Sequence, residues 1–137
     1  MSGETDLNKL IASMRPELRD GTYVFVSMPV DGADPVGLGA VMSFREDEGV
    51  TMIVPDHAAS AAGLMGVFPC RMVTLTVHSA LDAVGFLAAV TTRLAAAGIS
   101  VNAVSAFFHD HLFVPAERAD ETVEILSRMA PATKPEG

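Results

Sequence analysis

Tryptophan is missing from the sequence, tyrosine and cysteine each occur once, and lysine and arginine together number nine against 17 aspartates and glutamates. Each shortage closes an option. A lone Cys70 cannot form an intrachain disulfide, so the fold must rest on its core. With a formal net charge of −8 and a sequence pI near 4.7, the surface should repel phosphate backbones, and nucleic acid is not an expected partner. Long apolar runs are lacking too. Gly, Pro, Thr or charge interrupts them well short of the roughly 18 residues of a membrane span, so no membrane partner is expected. The opening Met1-Ser2-Gly3-Glu4-Thr5-Asp6 is acidic where a signal peptide would be basic and then apolar, which leads to the expectation of a cytoplasmic location. Gly37-Leu38-Gly39 is too short for a phosphate loop, no serine stands in a G-x-S-x-G setting, and Cys70 has no His close by in sequence. Neither a nucleophile nor a cofactor is expected.

What is present is apolar and periodic. Half of the 137 residues are hydrophobic, and a chain of this length can bury roughly two-thirds of its unfolded surface as one ordinary domain or two very small ones. Residues 5–14 read as a short helix capped by Thr5 or Asp6, with Leu7, Leu10, Ile11 and Met14 on one face and a stop before Pro16. Tyr23 to Met28 reads as a strand, and Pro29 to Gly39, rich in Pro and Gly, as a loop. Ala40 to Phe44 and Val50 to Val54 are strand-like around the polar turn Arg45-Glu46-Asp47-Glu48-Gly49, and Asp56 can cap a small helix through Leu64.

Alternation over Arg71 to His78 predicts a half-buried strand. Ser79 and Asp82 have the spacing of a capping box, and helical periodicity then runs to a stop at Gly98, predicting a helix over 80–97. Ile99 to Phe108 and His111 to Val114 read as strands joined across His109-Asp110, followed by a helix over 116–129. Val73, Leu75, Val77, Leu87, Leu94, Ile99, Leu112, Val114, Val123 and Leu126 are the expected core. Strand, polar turn, strand ending Met52-Ile53-Val54-Pro55 and then helix recurs 60 residues later, ending Leu112-Phe113-Val114-Pro115 and then helix. The chain therefore reads as two related halves: a degenerate unit with a leading helix over 1–68, a second unit over 69–131, and a frayed tail over 132–137. The order β-α-β-β-α of the second half fits an α+β fold of ferredoxin-like βαββαβ units in tandem, antiparallel sheets with helices on one face. Its fourth strand is missing, and another part of the chain or a second copy would have to supply it.

Two places carry candidate chemistry. The triplet His109-Asp110-His111 supplies two imidazoles at most, where a zinc site needs three or four ligands. His57, His78 and Asp56 stand at no recognisable metal spacing, so no metal is expected. At the tip of a hairpin, Asp110 would either bind turn amides or face an ammonium group. The second place is the strand-to-helix turn over residues 77–85, where free N–H groups and the positive end of a helix suit a carboxylate, although Ser79 and Asp82 can also serve simply as caps.

The stretch VTLTVHSALDAVGFLAAVTTRLAAAGISVNAVSAFFHDHLFVP, residues 73–115, resembles the ACT domain, and together with EDEGVTMIVP, residues 46–55, it is similar to small bacterial tandem ACT proteins related to aspartate kinase regulatory domains and CASTOR-type amino-acid sensors. The resemblance implies a ligand held between paired units by the first strand-to-helix loop and the facing second strand. It places Ser79, Ala80, Leu81, Asp82 and Gly85 near a ligand carboxylate, Asn102 and Ser105 near its polar atoms, and Asp110 at its ammonium group. The commoner pattern has a glycine where the helix begins, while this chain has Ser79-Ala80 there and its glycine at 85. The expectation is a non-catalytic, amino-acid-binding regulatory module acting as a homodimer. The rivals are a structural or protein-interaction subunit with empty pockets and, further off, a metal-assisted hydrolase.

Overall fold

The computed structural model describes residues 3–129, so the tail over 132–137 lies outside the described residues. Contacts divide the chain into a middle unit, Asp20–Arg71, and a flanking unit built from the residues up to Arg19 and those from Met72 on.

In the middle unit, β-branched and aromatic residues form β2 (Tyr23–Met28), β3 (Met42–Glu46) and β4 (Gly49–Pro55), with α2 (Pro35–Leu38) and α3 (Asp56–Ala61) between and after them. β5 (Val67–Leu75) contributes its residues up to Arg71. The strand order is β3-β4-β2-β5, and the β3–β4, β4–β2 and β2–β5 pairings are antiparallel. Val24, Val26, Val50, Met52 and Val54 turn one face of this sheet towards Ala59, Leu38 and Leu64. The Pro/Gly-rich stretch expected as a loop contains α2, whose N-cap Asp34 accepts from the Gly37 amide at 3.0 Å. Four residues suffice only for one turn.

The flanking unit starts with α1 (Leu7–Ser13), whose N-cap Asp6 accepts from the Lys9 amide at 3.2 Å, and a strand that the sequence pattern did not reveal, β1 (Pro16–Leu18). It continues with the Met72–Leu75 part of β5, then α4 (Phe86–Ala96), β6 (Asn102–Ser105), β7 (Asp110–Pro115) and α5 (Ala119–Ser127). Its order, β6-β7-β5-β1, repeats that of the middle unit, with β1 as the closing fourth strand through Pro16↔Leu75, Glu17↔Thr74 and Leu18↔Val73. The fourth strand therefore comes from the leading segment.

Leu10, Met14, Val73, Leu75, Phe86, Val90, Leu94, Ile99, Leu112, Val114 and Leu126 form the core between this sheet and its helices. All ten expected core residues belong to that cluster, with Val77, Leu87 and Val123 partly buried at its margin. Arg118 ties the helices together: it donates to the Ala97 and Gly98 carbonyls at the end of α4 and to Glu121 of α5. These contacts suit the negative end of a helix.

Candidate functional site

The helix expected over 80–97 begins at Phe86. Residues 76–80 are held instead by the leading segment. The Thr76 amide donates to the Arg15 carbonyl at 2.8 Å, the Glu4 amide to the His78 carbonyl at 2.8 Å and the Ala80 amide to the Glu4 carbonyl at 2.9 Å. The Val77 and Ser79 amides close tight turns onto the Leu75 and Val77 carbonyls, at 2.8 and 3.0 Å, so this stretch is not helical. Gly3 makes the close approach possible, because a Cβ there would lie 2.3 Å from the His78 carbonyl oxygen. Ser79 and Asp82 therefore form no capping box. The residue that starts α4 is Gly85, at φ 94°, a left-handed conformation that glycine accepts without steric penalty. This puts a glycine where the helix begins, as in the commoner family pattern.

A second correction concerns the hairpin. Ser105 pairs with Asp110 and the Ala106 amide donates to the His109 carbonyl at 2.9 Å, so the tip is Phe107-Phe108 and not His109-Asp110. The shift of two residues preserves which side chains face the core, because strand side chains alternate with a period of two. It changes Asp110 completely. Instead of sitting at an exposed tip, Asp110 is the first residue of β7, on the same face as Leu112 and Val114, and is 8% exposed.

These two rearrangements create a recess of about 370 Å3, part of it continuous with solvent, lined by Ser79, Ala80, Leu81, Ala83, Phe86, Leu87, Ser105, Ala106 and Asp110. Five of the residues expected at a ligand site, Ser79, Ala80, Leu81, Ser105 and Asp110, come together here. Asp82, Gly85 and Asn102 do not line it: Asp82 is exposed, Gly85 serves as the N-cap of α4, and Asn102 is exposed opposite Phe113 on β6. Ala83, Phe86, Leu87 and Ala106 are not among the ligand-site residues expected from the sequence. A glycine-led start at 85 was the available signal for Phe86 and Leu87.

The recess is polar at two points. Among the described residues, none hydrogen-bonds or ion-pairs with the Asp110 carboxylate. The Asp110 side chain is largely buried, but its carboxylate oxygens keep contact with solvent in the recess, where a cationic group can meet them. At the start of α4, which has no side-chain cap, the first main-chain bond within the helix is from the Ala89 amide to the Gly85 carbonyl. The preceding amides of the first turn belong to the set that a helix leaves unpaired, at its positive end. A carboxylate on one side and helix amides on the other complement a molecule with an ammonium and a carboxylate group.

Outside the recess, the His111 Nδ1 lies 3.0 Å from the Thr74 hydroxyl. Burial lowers the His111 pKa from its ordinary value, His109 and Arg19 add to that effect, and Asp110 opposes it. Cys70 is buried, and burial pushes its thiol up to about 11, so it is protonated near neutrality and a poor nucleophile. Among the described residues, no group of three or more His, Cys, Asp or Glu is placed to hold a metal ion.

An ACT domain model matches residues 2–71 and a second ACT domain model matches residues 67–128. A comparison with curated proteins finds no match. Among solved structures, a Vibrio cholerae protein of unknown function, described as a possible transport protein, is 40% identical with a TM-score of 0.82, covering 90% of this chain and 95% of that one. An Agrobacterium tumefaciens protein shares 21% identity with a TM-score of 0.72, over 85% of this chain and 89% of the other. The ligand-free regulatory subunit of Thermus thermophilus aspartate kinase is 10% identical with a TM-score of 0.62, over 87% of this chain and 97% of that subunit, a likeness of fold.

Proposed function

Because the chain belongs to the ACT domain family, we propose that it is a non-catalytic regulatory module that binds an amino acid in the recess of the flanking unit. The observation carrying this reading is Asp110, a largely buried residue whose carboxylate faces the recess with no side-chain partner among the described residues, beside the uncapped start of α4. The ligand ammonium meets Asp110 and its carboxylate meets the first-turn amides. A helix end contributes roughly 0.3–1 kcal/mol to an anion, rising towards ~2 when partly buried. Since micromolar binding needs about 8 kcal/mol, the ion pair with Asp110 and burial of the ligand must provide most of the affinity. Ser79, Ala80, Leu81 and Ser105 complete the proposed site. In this reading, the middle unit, Asp20–Arg71, is the degenerate copy of the repeat and the flanking unit, with the leading segment in it, the ligand-carrying one.

The module acts as a homodimer. Leu81, Val84, Phe107 and Phe108 are exposed on the two segments that frame the recess, and β6, at an edge of its sheet, has only the half-buried Val104 among exposed neighbours. Ligand bound in the recess would then bias the association state or a partner contact according to its differential affinity for the two forms. No helix among the described residues is long and apolar enough to cross a membrane, and the buried free thiol of Cys70 suits a reducing cytoplasm.

A thermal-shift screen of the twenty amino acids, followed by calorimetry, tests the reading. At least one amino acid is expected to raise the melting temperature of the wild type and to bind at micromolar to submillimolar concentration. Unshifted melting and no heat with any of the twenty at millimolar concentration would favour a structural subunit with empty pockets.

A further inference from the structure

We propose, resting on the amino-acid reading above, that the recess selects α-amino acids with a short, uncharged aliphatic side chain. The argument is a balance of charge. Among the described residues, Asp110 is the only ionisable side chain in the lining, and the ligand ammonium neutralises it. The start of α4 receives the carboxylate. Nothing remains for a second charge: the rest of the lining is apolar apart from the hydroxyls of Ser79 and Ser105. A lysine or arginine ligand would bring in a cation with no carboxylate left to meet it, and a glutamate or aspartate an anion with no cation there. A charge brought into such surroundings loses its water without replacement. The lining narrows the choice further. Ala80, Ala83 and Ala106, together with Phe86 and Leu87, give the recess hydrocarbon walls. That suits the side chain of valine, leucine or isoleucine.

The test is calorimetry on the intact chain with L-valine, L-leucine, L-isoleucine, L-lysine and L-glutamate, repeated with Asp110→Asn after its melting temperature has been checked. The expected result is that an aliphatic amino acid binds about ten-fold or more tightly than lysine or glutamate, and that Asp110→Asn loses that heat. Lysine or glutamate binding as tightly as the aliphatic set would overturn the selectivity while leaving the amino-acid reading intact. Undiminished valine binding to a folded Asp110→Asn protein would overturn the assignment to this recess. No heat with any of the five, together with a blank screen of all twenty amino acids, would remove both the selectivity and the reading beneath it.

Discussion

The β3–β4 hairpin of the middle unit and the β6–β7 hairpin of the flanking unit run in step, one closing on Met52-Ile53-Val54-Pro55 and the other on Leu112-Phe113-Val114-Pro115. Followed back along the strands, that register sets Val50 of β4 against Asp110 of β7. Val50 pairs with Arg45 and Asp110 with Ser105, and both Val50 and Asp110 are 8% exposed. Val50 packs into an apolar cluster; Asp110 presents an unpartnered carboxylate to a recess. Valine shows that the hairpin requires only a buried side chain here. The charge at the matching position is therefore an addition to the fold. The first strand-to-helix connections diverge in the same way: the middle unit spans its gap with the four residues of α2, while the flanking unit has the Ser79–Gly85 loop and eleven-residue α4.

Truncation should first expose the difference between the two connections. Leu94→Ala in α4, at a fully buried position, is expected to cost ~2–5 kcal/mol in denaturant unfolding, whereas Val36→Ala in α2, at a residue 92% exposed, should stay within about 0.5 kcal/mol. Equal losses would erase the distinction between a packed and a marginal helix. The Val50/Asp110 contrast can then be removed by Asp110→Val, which writes the middle-unit residue into the flanking unit. Amino-acid affinity should fall about a hundred-fold or more, roughly 2.7 kcal/mol, while the melting temperature holds, because a valine at the matching position already serves the hairpin of the middle unit. A lower melting temperature with binding intact would make Asp110 a structural residue.

The smallest effect is one of pH. The register matches His111 with Thr51, which does not titrate. The folded state holds the His111 pKa below its ordinary 6.5, so the unfolded chain binds the proton more readily. The stability of the neutral-imidazole fold is intact above 6.5 and declines as pH falls from there towards the lowered folded value. Melting temperatures at pH 8 and pH 5 should show a larger acid loss for wild type than for His111→Gln, and equal losses would mean that His111 titrates alike in both states.

The periodic parts of this architecture were legible from residues alone. Val73, Leu75, Leu94, Leu112, Val114 and Leu126 declare their faces through alternation or helical spacing, and the repeat of IVP and FVP before a helix exposed the duplication. What escaped depends on distant partners. Pro16-Glu17-Leu18 is too short to show a strand pattern, and only its pairing with β5 makes it one. The Ser79–Asp82 spacing resembles a cap, but the hydrogen bonds exchanged between Glu4 and residues 78–80 override it. Asp110 was placed at a tip because a polar triplet fits a turn, yet two exposed phenylalanines occupy the turn and the carboxylate lies in the strand.

The closing strand β1 also bears on synthesis. A ribosome releases Pro16–Leu18 long before Val73–Leu75, their partners, so a growing chain carries an unpaired edge through the making of the whole middle unit, which can close on itself first. Docking of β1 is then a late, non-local step, of the kind that slows folding and leaves sticky intermediates open to aggregation. Its brevity, three residues with a glutamate at the centre, leaves little edge for neighbouring nascent chains to capture.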